Sequence, residues 1–346
     1  MKTVALDVHA GKTQLCVCLA DGRVITEKVI ETKADVLRRE VGAVEGPKRV
    51  VFENGPLSGL IMDAVRDVAE EVISCDATRN ALISRSDDSN DRNDARRLGT
   101  LARNGSIYPV YVPAEPYRSL RQVVGYELHL TRTISVCMVH IKALCRSRGV
   151  PCRGKTVYAR RERPEILARM GSGMPGEHLG SLYRLLDGVR RERLVLRRKM
   201  GSLCEEMSVY RRVQTIPGIG PVVARTLVAW IVDPGRFKSR SALSTYAGLG
   251  LKYDTSNWRP TQRPRASKRG QRQVKRVLFL AARAVVRMRE NAFAKRYSAR
   301  RAAGWEDRKA IRDIARQLLF SACHVWRTGE EYDDARINVP VIPGAR

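Results

Sequence analysis

Thr3-Val4-Ala5-Leu6-Asp7-Val8 and Thr13-Gln14-Leu15-Cys16-Val17-Cys18-Leu19-Ala20 are two apolar, β-branched runs, with Gly11 and Lys12 marking a turn between them. Asp21-Gly22 is a strong hairpin signal, so Arg23–Ile30 reads as a third antiparallel strand. Working outward, the pattern predicts a helix over about 33–43 and a strand Lys48–Glu53 (Lys-Arg-Val-Val-Phe-Glu) buried on both faces. A helix over about 57–69, a strand Glu71–Cys75 and a helix over about 92–103 follow, and Tyr108–Val112 is a short extended piece before Pro113. Three antiparallel strands followed by alternating helix and strand predict an α/β domain with a mixed sheet.

Acids interrupt this pattern at telling places. Asp7 sits inside the first strand between Leu6 and Val8, where a carboxylate is costly unless paired or metal-bound. Glu53 ends the fourth strand, before Asn54-Gly55-Pro56, and strand ends are where open α/β sheets place their sites. Asp91 and Asp94 stand three apart where the acid-rich stretch Ser86–Leu98 enters a helix, so their carboxylates leave one face. Taken alone, that pair reads as helix capping. As a set, Asp7, Glu53, Asp91 and Asp94 are hard oxygen donors suited to Mg²⁺ or Mn²⁺, ions that hold phosphate oxygens and orient a hydroxyl or water for in-line attack.

The 346-residue chain has a formal net charge of +28, unevenly spread. Residues 1–113 carry 16 Lys+Arg against 17 Asp+Glu, while 114–346 carry 48 against 19. A near-neutral part joined to a basic remainder fits a catalytic module attached to a polyanion-binding one, with nucleic acid the expected partner. The eight cysteines form no Cys-x-x-Cys pair or zinc spacing, and Cys16 and Cys18 read as small buried apolar residues. The opening Met-Lys-Thr-Val-Ala-Leu-Asp does not resemble a secretory leader, and no apolar run is long enough to span a membrane. A reducing cytoplasm is the expected location.

The expected organisation is a domain over 1–113, a helical coiled-coil region over 114–210 and a C-terminal, mainly α domain over 211–346. Residues 117–147 and 179–209 have long helical patterns. In the second, Leu182, Leu186, Val189, Leu196, Met200, Leu203 and Met207 follow a heptad seam with Arg193 in one position. Residues 148–178 read as a linker. Thr215-Ile216-Pro217-Gly218-Ile219-Gly220 opens into an apolar helix over Val222–Val232, the pattern of a helix–hairpin–helix. After a short helix over Ser241–Leu249 and a polar loop over 252–258, Arg259, Arg263, Arg265, Lys268, Arg269, Arg272, Lys275 and Arg276 run without an acid, a nucleic-acid surface by charge. Helices over about 271–290 and 305–327 complete the prediction.

Leu6-Asp7-Val8 with Lys12, Glu53 followed by Gly55, and Asp91-x-x-Asp94-Ala95-Arg96 together resemble the DEDD transposases of bacterial insertion sequences, the one-ten family. Ile216-Pro217-Gly218-Ile219-Gly220, Tyr246-Ala247-Gly248-Leu249 and Ser267-Lys268-x-Gly270 with Arg276 resemble that family's second conserved domain, in the same order. The resemblance implies a RuvC-like domain of ribonuclease-H fold, a coiled-coil middle and a transposase domain with a nucleophilic serine. It further implies a recombinase guided by a structured RNA of its own element (a bridge RNA) and working on DNA as a dimer or tetramer. The family's serine lies seven residues after the Leu of Ala-Gly-Leu, which is Ser256 here; Thr255, Ser244 and Ser267 are the alternatives. Two rival readings use the same residues: a junction-type nuclease with water as nucleophile, and a non-catalytic nucleic-acid-binding scaffold.

Overall fold

The computed structural model describes residues 1–81, 91–252, 255, 256, 259, 260, 265, 266, 270–288 and 290–338; at 80, 81, 91, 252, 255, 256, 259, 260, 265 and 266 it describes the backbone alone. The chain forms two compact units, Met1–Arg118 and Ser119–Arg346.

The first unit runs β1 (Lys2–Val8), β2 (Lys12–Cys18), β3 (Val24–Glu31), α1 (Ala34–Gly42), β4 (Lys48–Glu53), α2 (Ser58–Val65), β5 (Glu71–Cys75), α3 (Ala77–Ala81) and α4 (Asp91–Arg103). The sheet order is β3-β2-β1-β4-β5. The β1–β2 and β2–β3 pairs are antiparallel, whereas β1–β4 and β4–β5 are parallel, giving the expected mixed sheet. Alternation of side chains along each strand decides what covers it. Val4, Leu6, Leu15, Val17, Val50 and Phe52 form one face, packed with Leu37 and Val41 of α1 and Ile61 and Val65 of α2. Ala5, Val51 and Cys75 face the other way, under Leu98 and Ala102 of α4, and Cys16 and Cys18 meet Ala95. This second face is lined by small residues, so α4 approaches closely: a Cβ on Gly99 would lie 3.4 Å from Cys18 Sγ and 3.6 Å from Ala5 Cβ. The outer edge of β5 is covered by the extended piece near Tyr108, whose carbonyl accepts from Asp76 N at 3.0 Å, while Val110 N donates to Ser74 O at 2.7 Å.

The second unit takes up α5 (Tyr117–Ser147) from its third residue and continues with α6 (Arg163–Met170), α7 (Met174–Glu205), α8 (Ser208–Val213), α9 (Pro221–Ile231) and α10 (Arg240–Tyr246). Two short ladders follow, β6 (Leu251–Lys252) with β9 (Arg265–Ala266), and β7 (Thr255–Ser256) with β8 (Arg259–Pro260). Helices α11 (Arg272–Val285), α12 (Ala292–Ala302) and α13 (Asp307–Thr328) complete it. The stretch expected as a polar loop over 252–258 thus contributes backbone to ladders, with Ser256 opposite Arg259.

Part of the heptad seam is buried. Leu182 and Leu186 lie inside, Val189 packs beside them, and Ile134, Cys137, Ile141 and Cys145 of α5 share their core, while Met200 is buried further along α7. Leu196 and Leu203 are only half-buried, and Met207 lies beyond the end of α7. Residues 148–178 are not a linker. They include α6, and they bury Val150, Val157, Tyr158 and Met170 in the α5–α7 core. Tyr158 donates its hydroxyl to Met138 O at 2.9 Å, Tyr183 to Val157 O at 2.8 Å, and Arg163 grips Asp187 with two hydrogen bonds of 2.7 and 2.8 Å. Its apolar residues are irregularly spaced, so no period betrays the burial.

The turn between α8 and α9 carries Gly218 at φ +84°, with Val285 Cβ 2.8 Å and Ala281 O 3.1 Å from where a Cβ would stand. Only glycine fits there, because the turn rests on α11. Deep in this unit Glu127 of α5, 1% exposed, accepts from Arg197 Nε at 2.6 Å and from the buried Arg225 Nη2 at 2.8 Å. All eight cysteines are free and only Cys152 is not buried; burial pushes the Cys16 thiol up to about 12. Among the described residues no helix is long and apolar enough to cross a membrane.

Candidate active site

The parallel strands set the geometry of the acids. Leu6 pairs with Phe52, Phe52 with Ser74 and Glu53 with Cys75, so Asp7, Glu53 and Asp76 come at or just past the C-terminal ends of three neighbouring strands. Strand alternation puts Asp7 and Glu53 on the same face as Ala5 and Val51, the face that α4 covers. Asp94 lies in the first turn of α4 and accepts from Arg97 Nη1 at 3.1 Å. Asp7, 20% exposed, has its Oδ2 3.3 Å from His9 Nε2.

Glu53 registers the convergence. It keeps an exposed surface, yet partial removal from water, and then the carboxylates of Asp7, Asp94 and Asp76, hold its carboxyl above the ordinary glutamate range. Two predicted acids, Asp7 and Asp94, therefore act on a third, Glu53, and Asp76 joins them unpredicted. Its signal was available: it directly follows a strand parallel to those bearing Asp7 and Glu53. Asp91 begins α4, but its side chain lies outside the described residues. Among the described residues no three His, Cys, Asp or Glu side chains come close enough together to hold a metal ion.

Sequence reasoning also missed what fixes α4. Glu27 of β3, 11% exposed, accepts from Arg96 Nη2 at 2.8 Å and from Arg92 Nε at 2.7 Å, with Arg96 Nε on its other oxygen. The Arg96 and Arg92 guanidiniums draw the Glu27 carboxyl down to about 2. Arg92 and Arg96 are four apart, so both leave the helix face that meets β3, and the clasp anchors the turn that bears Asp94.

In the second unit, α11 buries Val274, Val277, Leu278 and Ala281 on one face, leaving Arg272 and Arg276 exposed and Lys275 half-buried. Arg263, Lys268 and Arg269 lie outside the described residues, as do the side chains of Ser256, Arg259 and Arg265. Of the alternative hydroxyls, Ser244 is 2% exposed within α10, where a DNA phosphate does not reach it.

Residues 210–298 match the family model described as transposase IS116/IS110/IS902 family, a stretch that runs from within α8 into α12. The chain is 28% identical over 163 residues to "Insertion element IS110 uncharacterized 43.6 kDa protein" of Streptomyces coelicolor, covering 47% of this chain and 40% of that protein. It is 25% identical over 209 residues to "Transposase for insertion sequence element IS1111A" of Coxiella burnetii, covering 58% of this chain and 56% of that one. The matches thus span about half the length of these relatives. Residues 210–298 thus match a transposase domain of the IS116/IS110/IS902 family, and the chain is similar over about half its length to proteins of two insertion elements.

Proposed function

We propose that this chain is the DNA strand-transfer enzyme of an insertion sequence, cutting and rejoining DNA through a covalent serine–DNA link. The observation that carries the reading is the placement of Asp7, Glu53 and Asp76 at the C-terminal ends of three neighbouring strands, with Asp94 in the first turn of the covering helix, in a chain bearing a transposase domain. Acids gathered towards one end of a sheet suit a cation and phosphate oxygens. Asp7, Glu53, Asp91 and Asp94 would hold Mg²⁺ or Mn²⁺, which fits their all-oxygen chemistry. Such an ion, when bound, neutralises phosphate charge and lowers the pKa of an attacking hydroxyl.

Ser256 Oγ attacks the scissile phosphorus, forming an Oγ–P bond as a bond from phosphorus to a DNA oxygen breaks; the freed DNA hydroxyl takes up the proton. Attack by another strand's hydroxyl reverses the step and releases the serine. Arg272 and Arg276, with the other cations of 259–276, neutralise the DNA backbone. The proposed partners are DNA, a structured guide RNA and further copies of this chain, as a dimer or tetramer.

A nicked suicide DNA tests this. Protein purified with its own nucleic acid should form a protein–DNA adduct that Ser256→Ala abolishes and Asp7→Asn lowers by at least about a hundredfold. Ribonuclease treatment beforehand should remove the adduct as well. An adduct that survives Ser256→Ala overturns the serine assignment, and clean cutting without any adduct favours the hydrolytic nuclease.

A further inference from the structure

Helix α13 carries Arg312, Arg316 and Phe320 at four-residue spacing, so all three lie along one stripe. Arg312 and Arg316 are half-buried, and among the described residues neither forms an ion pair. Arg316 Nε is buried without a hydrogen-bond partner. Burial, and then the charge of Arg316, lowers the basicity of Arg312. The same unit treats its other inner arginines differently: Glu127 serves Arg197 and Arg225, and Asp313 serves Arg296 and Arg300. Two half-buried guanidiniums one helical turn apart, without an acid between them among the described residues, become more favourable when an anion joins them. A phosphate suits them best, since the planar fork of arginine matches its oxygens.

The stripe leads to a cavity. Phe320 lines a space of about 230 Å³ together with Arg240, Gln317, His324, Tyr332 and Asp333. The Arg316 guanidinium stands 5.8 Å from the centre of the Phe320 ring and that of Arg240 5.5 Å. An aromatic wall with donors and acceptors around it suits a nucleobase. A base held in a duplex stack does not reach such a cavity, whereas an unpaired one does.

We propose that Arg312 and Arg316 hold adjacent phosphates of a single-stranded nucleic acid, whose unpaired base enters the cavity beside Phe320. Arg312, Arg316 and Phe320 are other residues than the cations of 259–276 and Ser256 named above. This reading rests on the proposed function only in taking nucleic acid as the partner.

Fluorescence anisotropy of the intact protein tests it with three labelled probes: oligouridylate, oligothymidylate and a DNA duplex, over a range of salt. Arg312→Gln with Arg316→Gln should weaken a single strand about tenfold and flatten the slope of log K against log salt by about 1.4, about 0.7 for each phosphate. The paired Arg→Lys changes should restore the slope. Phe320→Ala should weaken the same strand about tenfold and leave the slope unchanged; Phe320→Leu, which keeps most of the volume, serves if alanine lowers the melting temperature. A loss confined to oligouridylate identifies RNA as the ligand, and one confined to oligothymidylate identifies single-stranded DNA. Unchanged binding in a folded Gln variant, or an equal loss on the duplex, overturns the proposal. Parent protein that binds none of the probes sinks the nucleic-acid reading itself, so the two failures are distinguishable.

Discussion

Glu53 and Glu127 are both glutamates with charged neighbours, and those neighbours could hardly differ more. Glu127 lies inside the helical unit with two arginines at 2.6 and 2.8 Å. Glu53 stands at the end of the sheet among three other carboxylates. The first charge is satisfied within the fold and ties α5, α7 and α9 together. The second keeps an exposed surface and has like charges for neighbours, the setting in which a cation arriving from outside is favourable. An acid among cations is architecture; an acid among acids is a site.

The sharpest break of that comparison is Glu127→Ala. It strands Arg225, 5% exposed at its side chain, without its partner, and should cost about 3–5 kcal/mol in denaturant unfolding. A smaller loss would make the triad ornamental and erase the contrast. Next comes Glu27→Gln, expected to cost about 2 kcal/mol and to loosen α4. The carboxyl of Glu27 is depressed from 4.5 to about 2, so its contribution is complete above pH 4.5 and disappears as the pH falls from there to about 2. Acid titration of the wild type against Glu27→Gln should show the two stabilities converging across that window.

The smallest effect is the most diagnostic. Glu53→Gln should leave stability unchanged or raise it by less than about 1 kcal/mol, because it removes repulsion, while it abolishes strand transfer. The sign of its pH dependence is opposite to that of Glu27. The Glu53 carboxyl is raised in the folded protein, so the penalty of its charge is present at neutral pH and fades as the pH falls through the raised value towards 4.5. A marked loss of stability in Glu53→Gln would place Glu53 with Glu127, as part of the framework.

Most of the first unit was legible because its strands are short, apolar and separated by explicit turns such as Asp21-Gly22. The same pattern singled out Asp7 as an acid inside the first strand and Glu53 as the last residue of the fourth. Asp76 was only half legible: its place directly after the predicted strand Glu71–Cys75 could be read, but its proximity depends on β5 lying beside β4, a fact of pairing and not of local pattern. The Glu27 clasp escaped for the same reason: 65 residues separate Glu27 from Arg92. In the second unit α5 was predicted to the residue, while α12 was overlooked, because Ala-Phe-Ala-Lys-Arg-Tyr-Ser-Ala-Arg-Arg-Ala offers few large apolar side chains. Its hold is polar instead, through Arg296 on Asp313 at 2.8 Å.

The interior thiols have a practical consequence. Cys16, Cys18 and Cys75 lie in the sheet unit, and Cys137, Cys145, Cys204 and Cys323 in the helical one, all out of reach of solvent reagents while their surroundings stay closed. Alkylation by a maleimide, read peptide by peptide, therefore times the opening of each half of the molecule without any introduced label. The partly exposed Cys152 reacts first and serves as the internal clock.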